Sequence, residues 1–196
     1  MSKHVRYLDL QSRLKKTKRL DNILKILNIP DDWDYVIICD GSATTWKETA
    51  GWGWTAIWRK PTFGRFDGSG GASCGSNIFA EIMGFLHPLL WLEQQKPRGR
   101  TKVYVITDCE VVKRWGNQEV AQHSYEELFF YIRALARKGI LVEYRWAPRD
   151  TIDLNKFAHT MANCDRILHK RYMPILRRKT LEKLGVSTIF KLNRID

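Results

Sequence analysis

The hydrophobic pattern of the chain begins as that of a helix and then changes to that of short strands. Near the start, four apolar residues recur at helical spacing before Pro30 ends the pattern: Leu20, Ile23, Leu24 and Leu27. After residue 34, the β-branched run YVIIC and the run GWGWTAIWR predict two buried strands. We therefore expect a basic amphipathic helical extension over residues 1–33, followed by a domain that begins at residue 34.

The remaining pattern alternates between helices and strands. GRFDGSGGASCGS predicts a short third strand and a glycine-rich loop, and NIFAEIMGFLHPLLWLEQQ predicts a helix that Pro88 should kink or interrupt. KVYVIT and ILVEYRW predict the fourth and fifth strands, with helices between and after them. The predicted strands come first, and helices alternate with strands later in the chain. This order indicates an α/β fold with a mixed five-stranded sheet flanked by helices. The domain should cover residues 34–168, and residues 169–196 should form a basic, helical C-terminal extension.

The net charge of the chain indicates the kind of partner that it binds. The chain of 196 residues carries a formal net charge of +12, concentrated in RLKKTKR and HKRYMPILRRKTLEKLG near its two ends. Either run alone is also typical of a solvated surface, but two runs that flank one domain favour a polyanion such as nucleic acid. We expect both extensions to contribute to substrate binding.

The same composition argues against a membrane or secreted protein. No apolar run reaches membrane-spanning length, and the basic, polar start has no apolar core like that of a secretory signal. The four cysteines are widely spaced and form no CxxC pair, which fits a reducing compartment. We therefore expect an intracellular protein, located in the cytoplasm or wherever its nucleic acid is.

Three acidic residues occupy comparable places in the predicted elements. Asp40 closes the first strand, Asp108 closes the fourth, and Glu81 lies one turn inside the first long helix. Any one of them could simply begin a turn. Together they would concentrate negative charge, which becomes favourable when cations bind there. Carboxylate ligands with open positions suit Mg²⁺ or Mn²⁺, and paired ions can clamp a phosphate while activating a water.

These residues and their surroundings resemble the ribonuclease H type 1 family over about residues 34–168. CDGSATTWKETAGWGWTAIW is similar to the family's opening hairpin, SNIFAEI to its Asn-containing loop and Ala-Glu helix, VITDCEVVKRW to its Thr-Asp-Ser segment, and WAPRDTIDLNKFAHTMA to its closing stretch. The resemblance implies a ribonuclease H-like fold and hydrolysis of the RNA strand of an RNA–DNA hybrid by two Mg²⁺ ions. It also implies that Asp40, Glu81 and Asp108 are catalytic, metal-binding carboxylates.

The resemblance further implies a substrate-binding set. Asn77 matches an Asn that helps to recognise the RNA strand, where the 2′-hydroxyl distinguishes RNA from DNA. A helix N-cap is the simpler interpretation of the same residue. Main-chain groups of Gly41 and Ser42 are expected near the substrate backbone, although the two residues could also form a tight turn.

Two positions depart from the family pattern. His159 lies where the family has its fourth carboxylate, and we expect it to be a catalytic and metal-binding residue that holds one ion more weakly, or to move protons or position water. Arg149 lies where many relatives have a His in a flexible loop, and we expect it to contact phosphate. The nearby acids that could compensate for a missing carboxylate are Glu110, Asp150, Asp153 and Asp165.

Two other functions stay open. The change to His159 favours a catalytically weak or silent nucleic-acid-binding module, and a nuclease of the same fold could instead act on structured DNA such as a junction. Asp108 and Glu143 have the separation seen in DDE-type integrases, but Glu143 falls in a predicted strand, so we regard that spacing as coincidence. Trp46, in a polar turn, either stacks on a nucleotide or covers a core edge. The chain could act alone or within a larger nucleic-acid-processing complex.

Overall fold

The computed structural model describes residues 10, 12–14, 19–44, 49–59, 62–73, 75–97, 99–121, 125–149 and 152–176, with side chains up to residue 167. Trp46, Asp150 and residues 177–196 of the predicted C-terminal extension lie outside these ranges.

A mixed five-stranded sheet forms the centre of the fold. Its strands are β1 (Tyr35–Ala43), β2 (Ala50–Trp58), β3 (Gly64–Ala72), β4 (Thr101–Thr107) and β5 (Ile140–Trp146), in the spatial order β3-β2-β1-β4-β5. The first three strands pair antiparallel, whereas β4 lies parallel to β1 and β5 lies parallel to β4. The predicted fold class is confirmed.

Helices cover both faces of the sheet. They are α1 (Leu20–Ile26), α2 (Asn77–Gln94), α3 (Glu110–Gly116), α4 (Glu126–Ala134) and α5 (Asp153–Leu176), and a short 3-10 helix over Leu135–Lys138 follows α4. Residues of β1 alternate between the two layers, as the period of a strand requires. Ile37 and Cys39 pack with the core of α2, α3 and α4, while Val36 and Ile38 pack with the core that includes α1.

The described part of the N-terminal extension belongs to this second core. Ile23, Leu24 and Leu27 are buried in the same cluster as Trp33 and sheet residues such as Val36. The amphipathic pattern of α1 is thus explained by its packing on the domain. The boundary after residue 33 stays a prediction.

The glycine-rich segment differs from its prediction. It was expected to be a short strand and a loop, but β3 is nine residues long and continues through the glycines. Gly68 pairs with Trp54 and Gly70 with Trp52 on the neighbouring strand. A Cβ atom on Gly68 would lie only 2.1 Å from the Trp54 ring, and one on Gly70 would lie 2.6 Å from the Trp52 ring. The indole rings therefore occupy the space that side chains of β3 would need.

Pro88, which was expected to kink or interrupt helix α2, does not interrupt it. Helix α2 is continuous for 18 residues with Pro88 inside it. Ser76 caps its start, and buried residues on both sides of the proline, including Phe85 and Leu89, hold the two halves against the sheet. Because this packing stabilises the helix along its length, it offsets the backbone hydrogen bond that proline removes.

Candidate active site

Strand register brings the first two acids together. Ile38 of β1 pairs with Ile106 of the parallel strand β4, and each of the acids Asp40 and Asp108 follows two residues later. Parallel strands in this register put both acids at the same edge of the sheet. Asp40 is almost completely buried, with 1% of its surface exposed, and the Asp108 side chain is 7% exposed.

Close packing of α2 on β1 adds the third acid. A Cβ atom on Gly41 would lie 2.3 Å from the backbone nitrogen of Glu81, so glycine is needed at this position for the helix to approach the strand. Glu81 is buried and accepts a hydrogen bond from Thr107 Oγ1 at 3.2 Å. The same threonine oxygen accepts from the backbone N–H of Cys109 at 3.0 Å. The helix, the strand end and the following turn are thereby joined around the carboxylate.

The three acids form one cluster of potential metal ligands. One oxygen from each of Asp40, Glu81 and Asp108 lies within 4.8 Å of the others. Burial, followed by the charges of Asp108 and Asp40, raises the pKa of Glu81 well above its usual range. Burial and the charge of Asp108 also raise the pKa of Asp40, against the opposing effects of His159 and Arg149. Buried carboxylate oxygens that repel one another are suitable ligands for a divalent cation such as Mg²⁺ or Mn²⁺, because the ion compensates the repulsion.

Arg149 contacts two of these acids. Its Nε donates to Asp108 Oδ2 at 2.6 Å, and its Nη2 lies 3.6 Å from Asp40 Oδ1. The Arg149 side chain is 54% exposed, so it is open to solvent as well as in contact with the acids. The predicted phosphate ligand is therefore part of the cleft and can neutralise some of its negative charge.

Helix α5 carries His159 to the other carboxylate oxygen of Asp40. The helix packs on two glycines of β2, because a Cβ atom on Gly53 would lie 2.3 Å from the carbonyl oxygen of Ala158, and one on Gly51 would lie 2.1 Å from that of Ala162. His159 Nδ1 hydrogen-bonds to Asp40 Oδ2.

His159 nevertheless differs from the three acids. Among the described residues, the cluster of mutually close ligand atoms contains the three carboxylates and does not include His159. The histidine contacts one acid, Asp40, and its other ring nitrogen lies 2.9 Å from the side-chain nitrogen of Asn163. Its predicted role as a metal ligand stays a prediction.

The predicted substrate-binding residues line the same cleft. Gly41, Ser42 and Asn77 border it together with Glu81, Asp108, Arg149 and His159. Asn77 is not the N-cap of α2, since Ser76 holds that position and its Oγ accepts from the Phe79 N–H at 3.1 Å. The Asn77 side-chain oxygen instead accepts from the backbone N–H of Ala43 at 2.7 Å. That bond fixes the amide and ties α2 to the end of β1.

The additional acids that the structure describes, a set without Asp150, are not in the cluster. Glu110 and Asp153 are exposed, Asp153 pairs with Lys156 at 3.1 Å, and Asp165 is outside the group of close ligand atoms. Glu143 is exposed on β5 and pairs with Arg145, as its strand pattern suggested.

Sequence reasoning missed several residues that support the site. Besides Thr107, they are Asn163, which contacts His159, and Trp146, whose Nε1 donates to the carbonyl oxygen of Asp108 at 2.9 Å. The spacing of Asn163, four residues after His159, was an available signal because such residues are neighbours on a helix.

Solved structures with the same fold come from several sources. The N-terminal RNase H domain of a Mycobacterium tuberculosis protein, solved as a fusion with maltose binding protein, is 22% identical, with 71% of this chain and 97% of that one covered and a TM-score of 0.58. RNase H1 from Halobacterium salinarum is 16% identical, with 67% and 96% covered and a TM-score of 0.55. LC11-RNase H1 from compost, in complex with an RNA/DNA hybrid, is 19% identical, with 67% and 96% covered and a TM-score of 0.53.

These comparisons show that the chain has the ribonuclease H fold, as the sequence motifs implied. No protein-family model and no curated protein gave a significant match to the sequence. Within the described part of the chain, no helix combines the length and the apolar character needed to cross a membrane.

Proposed function

We propose that this protein is a metal-dependent endonuclease that hydrolyses the RNA strand of RNA–DNA hybrids. The observation that carries the proposal is the convergence of Asp40, Glu81 and Asp108 from strand β1, helix α2 and the end of β4, with ligand oxygens within 4.8 Å of one another. A binding module would gain nothing from burying repelling carboxylates where phosphates must approach. The cleft is therefore better suited to catalysis than to binding alone.

The three carboxylates are the residues that would hold the metal. Their oxygen donors favour Mg²⁺, with Mn²⁺ also accepted, and we propose two ions. When bound, such ions polarise phosphate oxygens, lower the pKa of water and stabilise the attacking and leaving oxygens of an in-line displacement. The protein's own contribution is to keep Asp40 and Glu81 buried and oriented, so that the metal-ligating oxygens are in position before the substrate binds.

Other residues of the cleft would bind the hybrid. Because the Asn77 oxygen is used by Ala43, the amide nitrogen of Asn77 is the group we assign to an RNA 2′-hydroxyl. Arg149 would contact a phosphate when it leaves its acidic partners, and backbone groups of Gly41 and Ser42 would lie along the nucleic-acid strand. One structure of similar fold, LC11-RNase H1, was solved with an RNA/DNA hybrid, which supports this choice of substrate.

The decisive experiment compares substrates and variants in one assay. Labelled RNA–DNA hybrid, RNA duplex, DNA duplex and DNA junction are incubated with the protein and Mg²⁺ or Mn²⁺. We expect cleavage of the RNA strand of the hybrid, with a 5′-phosphate and a 3′-hydroxyl as products. Asp40→Asn should lower the rate by about a thousandfold or more, because metal charge stabilisation is worth several kcal/mol. Glu110→Gln, an exposed acid outside the cluster, is the matched control and should retain the rate.

One observation favours a second candidate, a binding module that has lost turnover. His159 lies outside the group of three carboxylates, so a fourth acid is missing from the cluster. Tight hybrid binding without cleavage in either metal, together with recovery of cleavage in His159→Asp, would select this candidate. Preferential cutting of the junction would instead identify a nuclease for structured DNA.

A further inference from the structure

The side-chain amide of Asn163 is saturated with hydrogen bonds. Its nitrogen lies 2.9 Å from His159 Nε2 and donates to the His159 carbonyl oxygen at 3.1 Å. Its oxygen accepts from Ser42 Oγ at 2.9 Å and from Arg166 Nη2 at 3.3 Å. An asparagine amide has two N–H donors and two acceptor lone pairs, so all four are used here.

Two of these partners determine the orientation of the amide. The guanidinium of Arg166 can only donate, and the backbone carbonyl of His159 can only accept. If the amide were rotated by 180°, its N–H groups would face the Arg166 donor and its oxygen would face the carbonyl oxygen. The chemistry of the partners, independently of the imidazole, therefore directs the Asn163 nitrogen to the ring.

The amide orientation in turn determines the tautomer of the neutral imidazole. Since Asn163 presents an N–H group to Nε2 of His159, that ring nitrogen must be the acceptor and carry no proton. The proton of the ring then lies on Nδ1, which faces Asp40 Oδ2 and donates to it. Both ring nitrogens are thus engaged, one by an amide and the other by a carboxylate.

We propose that Asn163 is a positioning residue that holds His159 in the Nδ1–H tautomer. In this role His159 is a hydrogen-bond donor that orients Asp40 for metal binding, and it is not a fourth metal ligand. The inference rests on the proposed function, because it assumes that Asp40 binds a metal ion. Carboxylate ligands are commonly oriented by such hydrogen bonds. An aspartate in place of Asn163 would lack both donors, and a leucine would lack every polar group.

The first test is spectroscopic and uses the unmodified protein. A long-range ¹H–¹⁵N correlation spectrum of ¹⁵N-labelled, metal-free protein, recorded at a pH at which the His159 ring is neutral, reports which imidazole nitrogen carries the proton. The signals of His159 are identified by their loss in His159→Asn. We expect the pattern of a protonated Nδ1 and an unprotonated Nε2. A protonated Nε2 beside an unprotonated Nδ1 would overturn the proposal.

The second test replaces the ring by a group that keeps the donor. The side-chain nitrogen of asparagine can occupy the position of Nδ1, so His159→Asn should bind Mn²⁺ within about threefold of the unmodified protein. His159→Leu and Asn163→Leu should each weaken Mn²⁺ binding by about tenfold or more, as loss of outer-shell partners does. Thr160→Ala, an exposed residue on the same helix, is the control and should bind normally.

The variants are compared by titration of free Mn²⁺, after circular dichroism has verified that each is folded. If His159→Asn loses as much Mn²⁺ affinity as His159→Leu, His159 is itself a ligand and the proposal is wrong. Neither measurement depends on cleavage. A protein that has the Nδ1–H tautomer but cuts no nucleic acid would therefore contradict the proposed function and leave the role of Asn163 standing.

Discussion

The two sides of the cleft are built by different kinds of interaction. On the acidic side, Asp40, Glu81 and Asp108 are brought together by strand register and by the approach of α2 over Gly41. On the opposite side, His159 is held by the packing of α5 and by polar contacts. Both sides therefore depend on close backbone approach at glycines, and the histidine side depends in addition on hydrogen bonds between side chains.

The two sides also differ in their energetics. Asp40 and Glu81 are repelled by each other and by Asp108, and the raised pKa values of Asp40 and Glu81 mean that folding in the absence of a cation is opposed by the ionisation of these two residues. Around Asn163, by contrast, every hydrogen-bonding group of the amide is satisfied. This contrast teaches that the acidic side is adapted to bind cations, while the histidine side holds Asp40 in a fixed orientation.

The largest expected effect comes from separating the two sides. In Gly53→Ala, the new Cβ atom would lie 2.3 Å from the carbonyl oxygen of Ala158, so α5 must shift away from β2. Overpacking of this kind costs about 1–3 kcal/mol, which should lower the Tm by about 2–12 °C. Hybrid cleavage should fall as well, because His159 would move from Asp40. Thermal unfolding and the cleavage assay measure both effects.

Thr160→Ala is the control for that experiment, because Thr160 is exposed on the same helix and bonds only to its own helix carbonyl among the contacts that the structure describes. Its Tm should stay close to that of the unmodified protein. An unchanged Tm in Gly53→Ala would mean that α5 does not depend on the close approach to β2.

A smaller effect of opposite sign is expected on the acidic side. Glu81→Gln replaces a buried carboxyl group, whose pKa is raised, by a neutral amide. The amide keeps an oxygen that can accept the hydrogen bond from the Thr107 hydroxyl. At neutral pH and with a chelator present, the Tm should rise by about 2–4 °C, as for a gain of about 1 kcal/mol. Unfolding is measured by calorimetry.

The pH dependence of this effect has a definite sign. Folded Glu81 binds a proton more tightly than the unfolded residue does, so the stability of the unmodified protein should fall as pH rises from the usual glutamate range to the raised folded pKa. Glu81→Gln should lack this fall. Mg²⁺ should stabilise the unmodified protein more than the variant, because the ion binds the folded acids. A variant that is less stable than the unmodified protein at neutral pH in chelator would contradict this account.

The smallest effect is expected at Arg149, a half-exposed residue that contacts two acids of the acidic side. Arg149→Ala should weaken hybrid binding by about fivefold and reduce the slope of log affinity against log salt by about 1, as for one lost phosphate contact. The same variant should bind Mn²⁺ more tightly, because Arg149 no longer competes for Asp108 and Asp40. Binding is measured at several salt concentrations. Arg149→Lys keeps the charge and should retain the salt slope, and an unchanged slope in Arg149→Ala would rule out the phosphate contact.

Local signals predicted the acidic side better than the histidine side. Asp40 and Asp108 follow the apolar runs of β1 and β4, and Glu81 lies in the helix after β3, so their proximity follows from the order of elements once the sheet is mixed. Asp40 was expected to close the first strand, but β1 continues past it to Ala43, because its last residues still pair with β2. No comparable local rule connects Ser42 to Asn163, which are 121 residues apart in the chain. Their contact depends on how closely α5 packs on the sheet.

The same distinction explains two differences between the predicted elements and the fold. Gly68 and Gly70 indicated a loop, because glycine is unfavourable in a strand when considered alone. In the structure, the tryptophan rings of β2 fill the space beside these two glycines, and the segment forms a strand. Pro88 indicated a break for a similar local reason, and burial of α2 on the sheet offset it.

The sequence by itself determined the order and type of most elements, the mixed sheet and the acids at its edge, because these follow from periodicity and from chain order. Only the tertiary structure decided that His159 contacts Asp40 alone among the acids of the cluster, that Asn163 orients its ring, and that Arg149 bridges two carboxylates. The contacts of His159 and Arg149 with Asp40 join residues that are distant in the chain, and the contact of His159 exists because Gly51 and Gly53 let α5 approach the sheet closely.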